Sequence, residues 1–158
     1  MKKIYFVFLL MLVSFGVYAQ SADVITQILE TEEVTYGQIC YLSAVRQNLI
    51  SEDDSFDKAV SVIEDSAQLN RVLGTDYKID VQATAHLFMQ IWPDEKGGLL
   101  YRITGSPRYA YKHLKALNII PDSYDPHSNL SGFQALNILT SCMNTFGSED
   151  ECMSMDIE

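Results

Sequence analysis

The sequence predicts an all-α protein with five or six helices in one small domain. Apolar residues recur with a period near 3.6 along most of the chain after residue 20, which is the spacing of helices that bury one face. Serine, threonine or aspartate precedes several of these stretches, as expected at the start of a helix. Residues 81–121 have the highest apolar density, and Pro93 and Gly97-Gly98 interrupt them, which predicts two helices that fold back on each other.

The N-terminus is predicted to be a secretory signal peptide over residues 1–19. The basic pair Lys2-Lys3 precedes a long apolar run, and the small Ala19 offers a cleavage site before Gln20. An uncleaved membrane anchor is the alternative, but the run has about 14 residues and a spanning helix needs roughly 20. We therefore expect an exported protein, periplasmic or associated with the cell envelope, that does not span a membrane after cleavage. The rest of the chain divides into a helical domain over residues 20–146 and an acidic, flexible tail over residues 147–158.

The chain is acidic. It has 21 acidic and 11 basic residues, a formal net charge of −10, and the predicted cleavage removes two of the basic residues. A surface this acidic repels phosphate backbones and anionic lipid, so nucleic-acid binding is disfavoured.

The first three helices follow from periodicity and capping signals. One short helix covers residues 23–30, and a second begins after Thr35, whose hydroxyl forms a capping box with Gln38. A third follows the polar turn at residues 51–55, where acidic residues suit the positive end of the helix dipole. A calcium loop is the alternative for this acidic turn, but the required ligand spacing is missing.

The second half of the chain predicts three more helices. Asp80 caps the first of them, which should end before Pro93, whereas residues 99–103 are ambiguous between a helical turn and an extended run. Ser106-Pro107 starts the next helix, and Ser131 with Gln134 forms a second capping box at the start of the last one. The apolar faces of these last two helices are predicted to contain Tyr109, Ala110, Leu114 and Leu117, and Phe133, Ala135, Leu136, Ile138 and Leu139.

Three cysteines remain after the predicted cleavage, an odd number for an exported chain. Cys142 and Cys152 are close enough in sequence to close a small loop, but spacing does not fix disulfide geometry, so both the bridged and the free state stay open. Cys40 lies within an apolar helical pattern, which predicts a buried thiol. Burial raises the pKa of a thiol and argues against a nucleophilic role for Cys40.

Residues 109–138 resemble one S-layer homology repeat. The segment opens on Tyr109-Ala110, and a helix ending in two isoleucines is followed by an Asp-Pro loop and a capped second helix. Residues 35–50 are similar to the second helix of another copy, and the resemblance implies helix–loop–helix packing. The GGLLYR…SPRYAY core is also similar to uncharacterised exported proteins of spirochaetes.

The sequence departs from that family at one functional position. Typical repeats carry Thr-Arg-Ala-Glu at the start of the second helix, and the arginine helps to hold an anionic wall polymer. The corresponding segments here, residues 35–38 and 131–134, lack the arginine. The resemblance therefore implies the helical architecture but not polymer binding at these positions.

Catalytic motifs are absent from the sequence. There is no metalloprotease, nucleophile-elbow or phosphate-loop signature, so no cofactor and no enzymatic activity are predicted. Asp122, Asp125 and His127 are the best metal candidates, but no fourth ligand lies nearby, and no metal site is predicted. His86 is expected to pack within a helix rather than to act as a ligand.

The predicted binding site contains Tyr101, Arg102, Arg108 and Tyr109. A helix start favours anions, the two arginines supply donors for carboxylate or phosphate, and the tyrosine rings could stack on a sugar or a peptide. In the alternative interpretation, the arginines pair with neighbouring acidic side chains and the tyrosines fill the core.

These observations favour an exported, non-catalytic binding or scaffolding module of the cell envelope, with an envelope protein or glycan as its partner. The alternative is a small envelope hydrolase, or an accessory subunit of an envelope enzyme. That alternative requires a polar cleft with strongly perturbed titratable groups.

Overall fold

The computed structural model describes residues 17–66, 73–93 and 97–147, and seven helices account for most of them. They are α1 (Val17–Glu30), α2 (Tyr36–Arg46), α3 (Phe56–Asp65), α4 (Val81–Ile91), α5 (Leu99–Thr104), α6 (Pro107–Ala116) and α7 (Gly132–Phe146). The described ranges contain two isolated β-bridges and no strand. The all-α prediction is therefore confirmed, and the helix beyond the predicted six is α5, which periodicity left undecided.

Both predicted capping boxes are formed. The Thr35 hydroxyl accepts from the backbone N–H of Gln38 at 3.3 Å, and the Gln38 side chain accepts from the N–H of Thr35 at 3.0 Å. Ser131 and Gln134 make the same pair of bonds, at 3.3 and 2.9 Å. Asp80 caps α4 by accepting from the N–H of Ala83 at 2.8 Å. Each cap supplies an acceptor to a helix-start amide that has no partner within the helix.

Two helices end in the same way. Asn48 after α2 and Asn118 after α6 both have left-handed backbone, with φ of 56° and 59°. Asparagine tolerates this conformation better than most residues, and it reverses the chain so that the following amide bonds back to the helix. The Leu49 N–H thus donates to the Ala44 carbonyl at 2.9 Å. In the same way, the Ile119 N–H after α6 donates to the Leu114 carbonyl at 3.0 Å.

The helices are arranged as three helix–loop–helix units, α1–α2, α3–α4 and α6–α7. The second helix of each unit packs against the first helix of another: α2 on α3, α4 on α6, and α7 on α1. A buried apolar residue lies just before the cap of each second helix: Val34 before α2, Ile79 before α4 and Leu130 before α7. Backbone hydrogen bonds join these three residues. The Val34 N–H donates to the Leu130 carbonyl at 2.8 Å, and the Ile79 N–H donates to the Val34 carbonyl at 3.4 Å. The three units therefore close into a ring around these helix starts.

One hydrophobic core lies inside this ring. Its largest fully buried side chains include two tyrosines of α2 and Phe88 of α4. Trp92, just after α4, is half-buried and lies against Phe146 of α7, with ring centroids 5.6 Å apart. Leu117 and Phe133 differ from prediction, with 40% and 60% exposure. Leu117 caps the end of α6, and Phe133 lies in the first turn of α7, on the side away from the core.

Some predictions fall outside the described residues. Most of the predicted signal peptide, the tail beyond residue 147 and Cys152 belong to this group, so the Cys142–Cys152 bridge stays a prediction. No helix in the described ranges is both long enough and apolar enough to cross a membrane.

Candidate functional site

The four predicted binding residues lie on α5 and α6, but their side chains do not converge. Tyr101 points into the protein. Its hydroxyl lies 3.1 Å from Nδ1 of His86 and accepts from the Gln90 side-chain amide at 2.9 Å, while its ring meets the imidazole edge-on at 5.8 Å. Burial raises the pKa of Tyr101 to about 12. Tyr101 therefore anchors α5 to α4.

Arg102 and Arg108 are exposed. Two ion pairs, Lys58–Asp54 and Lys115–Asp122, and a contact of His127 with Asp80 at 3.6 Å lie within the described ranges, and neither arginine takes part in any of them. Tyr109 is half-buried, and the Lys112 ammonium lies 5.8 Å from the centre of its ring. The pairing of the arginines with acidic neighbours, the alternative raised by the sequence, is not seen among these residues.

The predicted metal candidates also face different partners. Asp122 is 96% exposed and lies 3.3 Å from the Lys115 ammonium. Asp125 accepts from the backbone N–H of His127, which turns the loop, and the His127 ring faces Asp80 instead. The part of the chain that the structure describes contains no group of three side chains placed to hold a metal ion.

A cleft of about 360 Å³ opens where the start of α4 meets the loop before α7. Its apolar part is formed by Ile79 and Ala83 with Pro107 of α6, and its rim is polar. Tyr77 stands at this rim with 54% of its surface exposed. The described lining consists of Leu73, Tyr77, Lys78, Ile79, Asp80, Ala83, Pro107, His127 and Asn129.

Hydrogen bonds hold the polar rim of the cleft in place. The Lys78 ammonium donates to the Glu33 carbonyl at 2.8 Å, and the Asn129 side-chain amide donates to the Glu33 carboxylate at 3.0 Å. Asp80 lies 3.6 Å from Nδ1 of His127, and the Gln82 side-chain amide lies 3.1 Å from the same nitrogen. Lys78 and Asn129 are each bonded to Glu33, so the rim is held in one arrangement before a ligand binds.

No local pattern in the sequence predicts this cleft. Tyr77 and Lys78 lie in a connector without a motif, and the two β-bridges that join the loops, Thr35 with Lys78 and Asp80 with Asn129, link distant parts of the chain. Only the capping role of Asp80 could be predicted, because capping is a local property.

The buried thiols are poor nucleophiles. Cys40 and Cys142 are inaccessible, and burial raises the pKa of each thiol to about 12. At pH 8 only about one such thiol in ten thousand is ionised. In a Cys152→Ser variant we expect both to react with a maleimide at least a hundredfold more slowly in the native protein than in urea. Peptide mass spectrometry measures each rate, and rapid native labelling of either cysteine would contradict the described packing.

The cleft can hold a small ligand through one exposed aromatic ring, an apolar floor and fixed amide groups. Its carboxylate, from Asp80, caps α4 and lies 3.6 Å from the His127 imidazole. Comparison of the sequence with protein-family models and with curated proteins found no match, so the arrangement of the side chains alone supports the functional argument.

Proposed function

We propose that the protein is a non-catalytic binding module of the cell envelope and that the cleft beside Tyr77 is its ligand site. The observation that supports the proposal most is the half-exposed Tyr77 ring at the rim of a cleft of about 360 Å³. Tyrosine suits such a site because its ring offers a large apolar face and its hydroxyl a polar end. The volume lies within the range usual for small-ligand sites.

The ligand is a hydroxyl-rich segment, and an envelope glycan fits best. The rim groups already hold hydrogen bonds, with Lys78 on the Glu33 carbonyl and Asn129 on the Glu33 carboxylate. Sugar hydroxyls both donate and accept, so they can bond to such groups while these keep their partners. An extended protein segment is the other class of ligand that offers both hydrogen-bond donors and acceptors.

Titration of the protein with a soluble digest of envelope glycan tests this function. We expect Tyr77→Ala to weaken binding about fivefold or more, because stacking of an aromatic ring contributes about 1 kcal/mol or more. Phe133→Ala is the matched control: Phe133 is 60% exposed, lies outside the cleft lining, and should leave binding unchanged. Chemical-shift changes or calorimetry give the dissociation constants.

The outcomes separate the ligand classes. Binding of solubilised envelope proteins, lost in Tyr77→Ala and kept in Phe133→Ala, would assign the cleft to a protein ligand. Equal binding by Tyr77→Ala and Phe133→Ala would mean that the cleft is not the ligand site. The alternative of an envelope hydrolase is not supported by a convergence of Asp122 and His127, because these two side chains face separate partners.

A further inference from the structure

We propose that the outward face of α5 is a docking surface for an anionic membrane, independent of the ligand cleft. The feature behind this inference is an exposed aliphatic patch, which we call the α5 patch, formed by Leu99, Leu100 and Ile103. These side chains are 70%, 53% and 71% exposed. Large aliphatic side chains gathered in this way are unusual on the surface of a soluble domain, where single exposed apolar residues are the norm.

The geometry of α5 explains why the three aliphatic side chains are exposed on the same side of the helix. Successive residues of a helix are rotated by about 100°, so positions 99, 100 and 103 fall within an arc of about 100°. Tyr101 lies on the opposite side and is fixed to α4 through His86 and Gln90. Because this anchor holds one side of α5 against the protein, the aliphatic side is forced outward.

The α5 patch lies in a basic run of the sequence that begins just after the acidic pair Asp94-Glu95. Residues 97–121 contain Arg102, Arg108, Lys112 and Lys115 and no acidic residue, in a chain of net charge −10. Arg102 flanks the patch on α5 itself. Arg108 and Lys112 are exposed and lie one turn apart on α6, and neither has an ion pair within the described ranges. Arg102 beside the exposed aliphatic groups, with Arg108 and Lys112 on the next helix, matches the headgroups and acyl chains of an anionic bilayer.

The size of the patch favours a membrane over a protein partner. A stable protein interface buries about 800 Å² on each side, far more than three aliphatic side chains on a six-residue helix provide. A bilayer needs no complementary groove, because aliphatic groups enter the acyl region while arginine and lysine extend to the headgroups. The net negative charge of the chain does not prevent this contact, since charges more than about 8 Å away are largely screened at physiological salt.

A fluorescent label at the patch tests the proposal. In the full chain carrying Cys152→Ser, an environment-sensitive dye is attached at Ile103→Cys, or at Ser61→Cys on α3 as a control. The native cysteines are buried, so the dye reports on the introduced site. We expect a blue shift at position 103 on addition of vesicles of phosphatidylcholine with 30% phosphatidylglycerol, and no shift at position 61. Absence of the shift at 103, or equal shifts at both positions, would overturn the proposal.

The basic rim is tested in the same labelled protein. Arg102→Gln with Arg108→Gln should weaken binding to the anionic vesicles about thirtyfold, because each basic residue near such a surface contributes about 1 kcal/mol. Lys58→Gln on α3 is the control and should have little effect. Equal binding to pure phosphatidylcholine vesicles would refute the anionic requirement. A shift that grows with protein concentration without lipid would assign the patch to a second copy of the chain and reject the membrane.

Discussion

Gly132→Ala is expected to lower the free energy of unfolding by about 3 kcal/mol, because the first turn of α7 lies directly on the backbone of α1. A Cβ atom at this position would come within 1.6 Å of the Ile28 carbonyl oxygen and 2.6 Å of its carbon. Backbone atoms cannot rotate away as the end of a side chain can. The two helices would have to separate, which would also stretch the 2.8 Å bond from the Gly132 N–H to the Thr31 carbonyl.

Urea unfolding followed by circular dichroism measures this loss. Gly74→Ala is the matched control, because a Cβ there meets nothing within 4 Å, and its stability should stay within about 0.5 kcal/mol of the parent. Similar stabilities for the two variants would mean that α1 does not lie on α7. The contact matters for the whole fold, since α1 on α7 closes the ring of helix–loop–helix units.

The helix starts could be predicted from the sequence because their chemistry is local. A hydroxyl and a glutamine three residues apart satisfy each other's backbone amides whatever the rest of the chain does. Thr35 with Gln38 and Ser131 with Gln134 were predicted on this basis, and the structure confirms both boxes. The resemblance of Asn48 and Asn118 reflects the same kind of local rule, since each asparagine reverses the chain after a helix.

The candidate site depends on contacts that local patterns do not contain. The cleft forms because Ile79 and Leu130 both bond to Val34, which brings three remote loops together. The short α5 is another example: six residues give too little periodicity to show which side faces inward. The hydrogen bonds from Tyr101 to α4 decide the orientation of α5.

Phe88→Ala is expected to lower the free energy of unfolding by about 3–5 kcal/mol. Phe88 has no exposed surface, and its helix α4 contacts α2, α6 and α7. Truncation leaves a cavity between packed helices that cannot all move inward, so the loss of apolar burial is joined by the loss of packing contacts. Phe133→Ala removes the same atoms from a side chain that is 60% exposed, and should change the stability by less than about 0.5 kcal/mol.

The comparison of these two phenylalanine variants tests the direction in which the helices face. Unfolding is best followed by Trp92 fluorescence, because Trp92 lies against Phe146 and reports on tertiary packing at the end of α4. Equal destabilisation by Phe88→Ala and Phe133→Ala would mean that α4 and α7 are rotated relative to the described core. A large difference, with the loss confined to Phe88→Ala, would support the inward face of α4 that also positions His86 and Gln90 to hold α5.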